Sequence, residues 1–226
     1  MREVVLDTET TGLNYKSGDR IIEVGCVELL NHVTTGKTLQ FYCSVEKKID
    51  VGAIKVHGLT NDFLNNHPSF EDQAQIFLNF LKDDTLIIHN SQFDLGFINN
   101  ELKIIGRPEL KNKIIDTVAL ARKTLNTRIA NLDYLCKRFS IDLSNRNFHG
   151  ALLDSQLLSE VYLELNGGKQ MSMHLSQNIA PKGYFEEKKS STKPTFINVI
   201  VTPKEIMEHK LLTKQIKNSL WEKFDY

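Results

Sequence analysis

The chain has 226 residues, 41% of them hydrophobic and 25% charged, which excludes a fibrous or largely disordered polypeptide. Its 28 basic and 28 acidic side chains cancel, so it cannot coat a nucleic-acid duplex by bulk charge; only short local contacts to a polyanion remain open. The balance hides an asymmetry. Residues 1–165 carry 18 basic and 22 acidic groups, and residues 166–226 carry 10 lysines and 6 acids, so the two parts face different electrostatic tasks. Three scattered cysteines, Cys26, Cys43 and Cys136, form no CxxC pair, which argues against a disulfide framework and against structural zinc. No signal-like segment precedes the first strand pattern and no long apolar run occurs. The expectation is a soluble, cytoplasmic protein.

In chain order, Glu3–Thr8 reads as a short buried strand around Val4-Val5-Leu6. Arg20–Leu30 reads as a second, with Ile22, Val24 and Cys26 on one face and Glu23, Gly25 and Val27 on the other. Thr38–Val45 reads as a third. Short connections between them predict an antiparallel meander. The pattern then changes to helical spacing over Phe70–Leu81, a strand at Leu86–His89, a helix over Phe93–Ile105 and a brief strand at Ile114-Ile115. Helices are expected over Val118–Arg122, Leu132–Phe139 and Ala151–Leu165. Antiparallel strands followed by alternating strands and helices predict an α/β domain on a mixed sheet. Asn166-Gly167-Gly168 is a strong stop. Beyond it, 169–195 reads as a polar, flexible linker. Residues 196–226 read as a tail, with a β-like stretch at Phe196–Val201 and a helix begun by the Thr202-Pro203-Lys204-Glu205 capping box.

Three segments carry chemistry. In Asp7-Thr8-Glu9-Thr10-Thr11-Gly12 the two acids sit at i and i+2 of a strand and project to one face. Two carboxylates ~4 Å apart repel by ~4 kcal/mol at an effective dielectric of ~20, so a compensating charge is needed. An oxygen-only ligand set favours Mg²⁺ or Mn²⁺. A bare Asp-x-Glu is more often a solvated strand end; the attached Thr-Thr-Gly turn tilts the reading toward a site. The second segment, His89-Asn90-Ser91-Gln92-Phe93-Asp94, runs from a strand into a helix, at the strand end where α/β sheets gather ligands. Read alone, Asn90 and Asp94 are better explained as capping residues than as ligands. In the third, His149-Gly150-Ala151-Leu152-Leu153-Asp154, five helical residues turn through about 500°, so His149 and Asp154 share a face only if His149 lies on the loop before the helix.

Together these segments resemble the DEDDh branch of the DEDD exonuclease superfamily, with Asp7, Glu9, Asp94 and Asp154 as the four acids and His149 as the histidine. The likeness extends over most of 1–168. DTETTG at 7–12, VHGLT at 56–60, HNSQFDLGF at 89–97, DTVALARK at 116–123 and HGALLDSQLLSEVYL at 149–163 are similar to the proofreading 3′→5′ exonucleases of bacterial replicases. The resemblance implies a ribonuclease-H-like domain with a mixed five-stranded sheet flanked by helices. It also implies two divalent cations, Mg²⁺ or Mn²⁺, and hydrolysis of 3′-terminal phosphodiesters to 5′-mononucleotides. In that scheme Asp7 bridges both ions, Glu9 and Asp154 hold the ion that binds the attacking water, Asp94 completes the shell and His149 is the general base.

Substrate contacts implied by the likeness fall on Asp7, Glu9, Asp154 and His57. Leu13 and Phe93 are candidates to pack on terminal bases, with core or rim packing the equal alternative. One departure stands out: Gly52 occupies the position where the family often has an acid five residues before the His57 counterpart. In the tail, Gln170-Met171-Ser172-Met173-His174-Leu175 looks like a clamp-docking peptide, or is simply a Met-rich linker. Residues 196–226 resemble a segment that binds the polymerase catalytic (alpha) subunit. They are too short to bury a core alone. The implied partners are single-stranded 3′ DNA ends, the polymerase and the sliding clamp, with no membrane. The competing readings are a free-standing nuclease acting on RNA or repair intermediates, and a catalytically silent scaffold of the polymerase.

Overall fold

The computed structural model describes residues 1–144, 146, 148–168 and 201–215. The chain divides into two units, 1–174 and 175–226. In the first, β1 (Arg2–Thr10), β2 (Ile21–Leu30) and β3 (Val33–Tyr42) form the expected meander, with Thr11–Arg20 joining β1 to β2 through a 3-10 turn at Tyr15–Ser17. Two helices the spacing does not predict follow, α1 (Val51–His57) and α2 (Asn61–Leu64). After them come α3 (Phe70–Leu81), β4 (Thr85–Ile88), α4 (Ser91–Ile104), β5 (Ile114–Asp116), α5 (Thr117–Leu125), α6 (Leu132–Arg138) and α7 (Ala151–Leu165).

The sheet order is β3-β2-β1-β4-β5. β1 is the centre: antiparallel to β2 with Asp7 opposite Gly25 and Glu9 opposite Glu23, and parallel to β4 with Leu6 opposite Ile88. β4 and β5 are also parallel. Alternation along the strands feeds two cores. Val4, Leu6, Val24, Cys26, Leu86 and Ile88 pack against Phe70, Phe77 and Leu81 of α3 and Phe97, Ile98 and Leu102 of α4. On the other face Val5, Val27, Leu29 and Ile87 meet Leu135 of α6 and Leu158, Val161 and Tyr162 of α7. Asp7 and Glu9 continue the Val5 face of β1, which is the α7 side.

Two elements, one strand and one helix, begin two or more residues earlier than the sequence predicts. β3 begins at Val33 rather than Thr38 because the β2–β3 hairpin is tight, with Asn31 and His32 both at positive φ. Its first half is exposed and polar, so it carries no burial alternation to read. α4 begins at Ser91, two residues before the apolar spacing starts. Its first N–H is satisfied from outside the helix: the Ser91 amide and hydroxyl both donate to Asp116, at 2.9 and 3.0 Å.

In the second unit the described residues form α8 (Pro203–Lys214). The Thr202–Glu205 capping box is present in both directions, with the Thr202 amide donating to Glu205 at 2.8 Å and the Glu205 amide returning to the Thr202 hydroxyl at 3.4 Å. Met207, Leu211 and Leu212 are exposed. The expected linker at 169–195, the clamp-like peptide at 170–175, residues 196–200 of the expected strand and the end of the tail at 216–226 lie outside the described residues. No helix among the described residues is long and apolar enough to cross a membrane.

Candidate active site

The carboxyl end of β1 delivers Asp7 and Glu9. Glu9 is 9% exposed and borders Glu23 across the β1–β2 ladder. Burial, then the charges of Glu23, Asp154 and Asp94, push its pKa up to about 8. Asp7 is half-buried. Desolvation, reinforced by Asp94, Glu9 and Asp154, holds its pKa well above the usual carboxylate range. Asp94 comes from the first turns of α4. Its neighbour Asn90 adopts left-handed backbone with φ 65° and makes no side-chain cap, which removes the capping reading of Asn90. Asp94 instead accepts the Thr8 hydroxyl at 2.7 Å, and burial raises its pKa to about 7 against that hydrogen bond.

Asp116, in the DTVALARK segment, fixes where α4 starts. Besides its two bonds from Ser91, its other oxygen accepts the amides of Val118 and Ala119, at 2.8 and 3.3 Å. One carboxylate thus caps α4 and α5 together, and through α4 it sets the height at which Asp94 stands.

α7 brings the last acid. Asp154 is 5% exposed. The first turn of α7 lies directly on β2. A Cβ built on Gly25 would be 2.2 Å from the backbone of Ala151 and Leu152, so only glycine permits this approach. The Ser155 hydroxyl donates to the Gly25 carbonyl at 2.9 Å. The backbones of Ala151 and Leu152 hydrogen-bond the Glu23 carboxylate, which also accepts Gln40 Nε2 at 2.8 Å. Gly150, the residue at the N-cap position, has no side chain to cap with, and Glu23 takes over that task from the neighbouring strand. His149 lies on the loop just before α7, tied down by its amide, which donates to Val56 of α1 at 3.0 Å. Its Nδ1 stands 3.3 Å from Asp154 Oδ2.

The outcome is that oxygens of Glu9 and Asp154 and a nitrogen of His149 all lie within 4.8 Å of one another. Asp7 and Asp94 are close enough to perturb these acids and each other. Four acids drawn together, with the pKa values of Asp7, Glu9 and Asp94 forced upward and only oxygen and imidazole donors present, form a donor set suited to hard divalent cations. Arg146 also enters the site, donating from Nε and Nη2 to both oxygens of Asp154 at 2.7 and 2.6 Å.

A cavity of about 300 Å³ opens beside these residues, lined by Thr8, Glu9, Leu13, Gly52, His57 and Phe93 among others. His57 closes α1. Its Nδ1 accepts the Leu59 amide at 3.0 Å, which places the ring proton on Nε2. That Nε2 is buried without a well-formed hydrogen bond, and burial lowers the pKa of the ring, keeping it neutral. His57 is therefore a neutral donor at the wall of the cavity, beside the Thr10 backbone. Leu13 is 84% exposed at the cavity mouth, whereas Phe93 is half-buried and stacks on Phe97 at 4.9 Å between ring centres, so it serves both core and cavity. Gly52 leaves its side of the cavity bare.

Three contributors escape sequence reasoning: Glu23 reads only as a strand residue, Arg146 carries no signal of its own, and Asp116 reads only as part of a motif. The Asp-Thr start of a helix was the available signal for Asp116. Glu23 and Arg146 act across the fold and leave no local pattern.

This is the fold and acid cluster of a nuclease. A family model described as Exonuclease matches residues 4–162. The chain is 39% identical over 216 residues to the DNA polymerase III subunit epsilon of Rickettsia felis, covering 93% of this chain and 94% of that one. It is 45% identical over 179 residues to the subunit of the same name from Rickettsia prowazekii, covering 77% and 78%. Among solved structures, the zinc-ion-bound form of the E. coli exonuclease I–single-stranded DNA complex superposes with a TM-score of 0.62 at 18% identity. That match covers 74% of this chain and 41% of the other, and it establishes likeness of fold. The chain belongs to the Exonuclease family and, within it, to the DNA polymerase III epsilon subunits.

Proposed function

We propose that this exonuclease removes nucleotides one at a time from 3′ ends of DNA strands at the replication fork, as the proofreading activity of a replicative polymerase. The observation that carries the reading is the convergence of Glu9, His149 and Asp154 within 4.8 Å, beside Asp7 and Asp94. Asp7, Glu9, Asp94 and Asp154 would hold two divalent cations, Mg²⁺ or Mn²⁺. Such a pair, once bound, supplies Lewis-acid charge that lowers the pKa of the attacking water and stabilises the leaving oxygen. His149, half-exposed at the mouth of the site, accepts the proton of that water, the task an imidazole performs in general base catalysis.

The other residues hold the strand end. His57 lines the cavity and would donate from Nε2 to the terminal sugar or phosphate. Leu13 and Phe93 offer apolar surface for the terminal base, a sequence-tolerant contact that suits an editing enzyme. With Gly52 in place of an acid, no side chain from that position reaches the sugar. The net acidity of 1–165 fits a site that grips only a few terminal nucleotides.

The unit assignment proposed is an exonuclease domain at 1–168, a linker at 169–195 and a polymerase-binding tail at 196–226. Residues 170–175 would engage the sliding clamp. In support, α8 carries a complete capping box yet exposes Met207, Leu211 and Leu212, an apolar surface suited to a partner. The deciding experiment is digestion of a 5′-labelled primer–template with matched or mismatched 3′ termini, in Mg²⁺, Mn²⁺ and EDTA. A ladder shortened from the 3′ end, faster on the mismatch and abolished by EDTA, is expected. Equal cutting of RNA, or no cutting in either metal, would overturn the reading.

A further inference from the structure

Arg146 precedes α7 in the same loop as His149, and only 7% of its side chain is exposed. Its Nε and Nη2 engage both oxygens of Asp154, at 2.7 and 2.6 Å. The same Nη2 lies 2.9 Å from His149 Nδ1, and Nη1 pairs with Asp133. A guanidinium has five donors and no acceptor, and it does not deprotonate in a protein. At the Arg146 contact, therefore, His149 Nδ1 is the acceptor and the ring carries its proton on Nε2. Both oxygens of one acid and the only bare nitrogen of the imidazole are thus committed to a single fixed cation.

That commitment conflicts with the chemistry proposed for the site. A divalent ion held by Asp154 needs an oxygen that the Arg146 fork now occupies, and it would face a like charge a few ångströms away. A base must also present a bare nitrogen to water, and Arg146 covers it. Arg146 has a place to withdraw to: Asp133 is 53% exposed, outside the acid cluster, and already holds the third corner of the guanidinium.

We propose that Arg146 is a protein-borne competitor for Asp154 whose displacement by the incoming cation uncovers the general base. While engaged, it keeps Asp154 and His149 aligned and His149 idle; when it yields Asp154 it also frees Nδ1. Metal entry and activation of the base are then one event, and an imidazole beside a bound strand stays inactive until the site is loaded. This rests on the two-cation, His149-base reading above. Arg146 acts through Asp154 and His149 and is a positioning residue.

The test is calorimetric titration of Mn²⁺ into the EDTA-stripped, dialysed full chain. A hydrogen-bonded charge pair of this kind sets a competition of roughly tenfold or more. Arg146→Gln should therefore bind Mn²⁺ at least about tenfold more tightly than the unaltered chain. Unchanged or weaker binding, as a purely structural clamp predicts, would overturn the proposal. If Arg146→Gln does not fold, Arg146→Lys serves, since it keeps the charge but cannot fork onto both oxygens; it should also bind more tightly, by a smaller factor. As a second readout, ¹⁵N-histidine spectra of the stripped chain should show His149 protonated at Nε2, with Nδ1 shifting when Mg²⁺ is added. A proton on Nδ1 in the stripped chain would also overturn it. Failure of the unaltered chain to take up Mn²⁺ would defeat the two-cation reading itself, whereas normal uptake without tightening defeats only the role of Arg146.

Discussion

Replacing Gly25 with alanine perturbs the site without touching any of its reacting groups. The added methyl would stand 2.2 Å from the backbone of Ala151 and Leu152, where ordinary contact begins at 3.4 Å. Backbone cannot rotate away as a side-chain tip can, so β2 and the start of α7 must separate by about 1 Å. Overpacking of this kind costs ~1–3 kcal/mol, and for a domain of this size each kcal/mol shifts Tm by ~2–4 °C, so a fall of ~2–12 °C is expected. The larger consequence is for activity. α7 carries Asp154 and follows directly on His149, and a misplacement of ~1 Å in a reacting constellation costs ~10²-fold. The assay is release of nucleotides from a 5′-fluorescent single-stranded oligonucleotide in Mg²⁺, alongside a thermal melt. Gly52→Ala is the control for stability, because nothing lies within 4 Å of its added Cβ and its backbone is ordinary helix. Gly25→Ala with Tm and rate both within error of the parent would refute the argument that this close approach seats α7 and with it the site.

Asp7→Ala should abolish cleavage while leaving the far-ultraviolet spectrum unchanged; full activity in Mg²⁺ would remove Asp7 from the cation site. His149→Ala should slow cleavage by ~10²–10⁴-fold with little change in KM, and an unaltered rate would exclude it as the base. Stability of the EDTA-treated protein should fall as pH rises from about 7 to about 8.5. Glu9 and Asp94 hold protons in the folded state up to pKa values of about 8 and about 7, well above where they titrate in the unfolded chain, so the folded form is the better proton binder in that window. His57 and His89, pushed down by burial, act in the opposite sense, but an unfolded histidine of pKa ~6.5 is only about one-quarter protonated at pH 7, so they contribute little across this window. A melting temperature that stays level or climbs over this range in EDTA would contradict the burial of those acids. Truncation after Gly168 should preserve nuclease activity and abolish co-elution with the polymerase catalytic subunit; retained co-elution would move the interface onto the exonuclease domain.

The acids were readable because strand alternation and helix starts are local. Asp7 and Glu9 share a face by period two alone, and Asp94 and Asp154 stand near helix N-termini that announce themselves in a few residues. The helices α3 and α7 could be bounded from spacing and stop signals. α1 and α2 could not. Gly52 weakens α1, the Asp50 side chain makes no cap hydrogen bond, and the segment is held by a small cluster of Ile22, Ile49 and Leu64 that no local pattern encodes.

By itself, then, the sequence determined which side chains carry charge, on which face of which element each lies, and that the elements belong to an α/β sheet. Only the tertiary structure decided that residues 9 and 154 meet. That depends on parallel pairing of β1 with β4 and on α7 seating against Gly25, across 130 residues of chain. It alone also decided that Glu23 caps a distant helix and that Arg146 covers both an acid and an imidazole. A hydrogen bond between groups far apart in the chain, or within an aperiodic loop, is fixed by where packing brings its partners, and neighbouring residues hold no record of it.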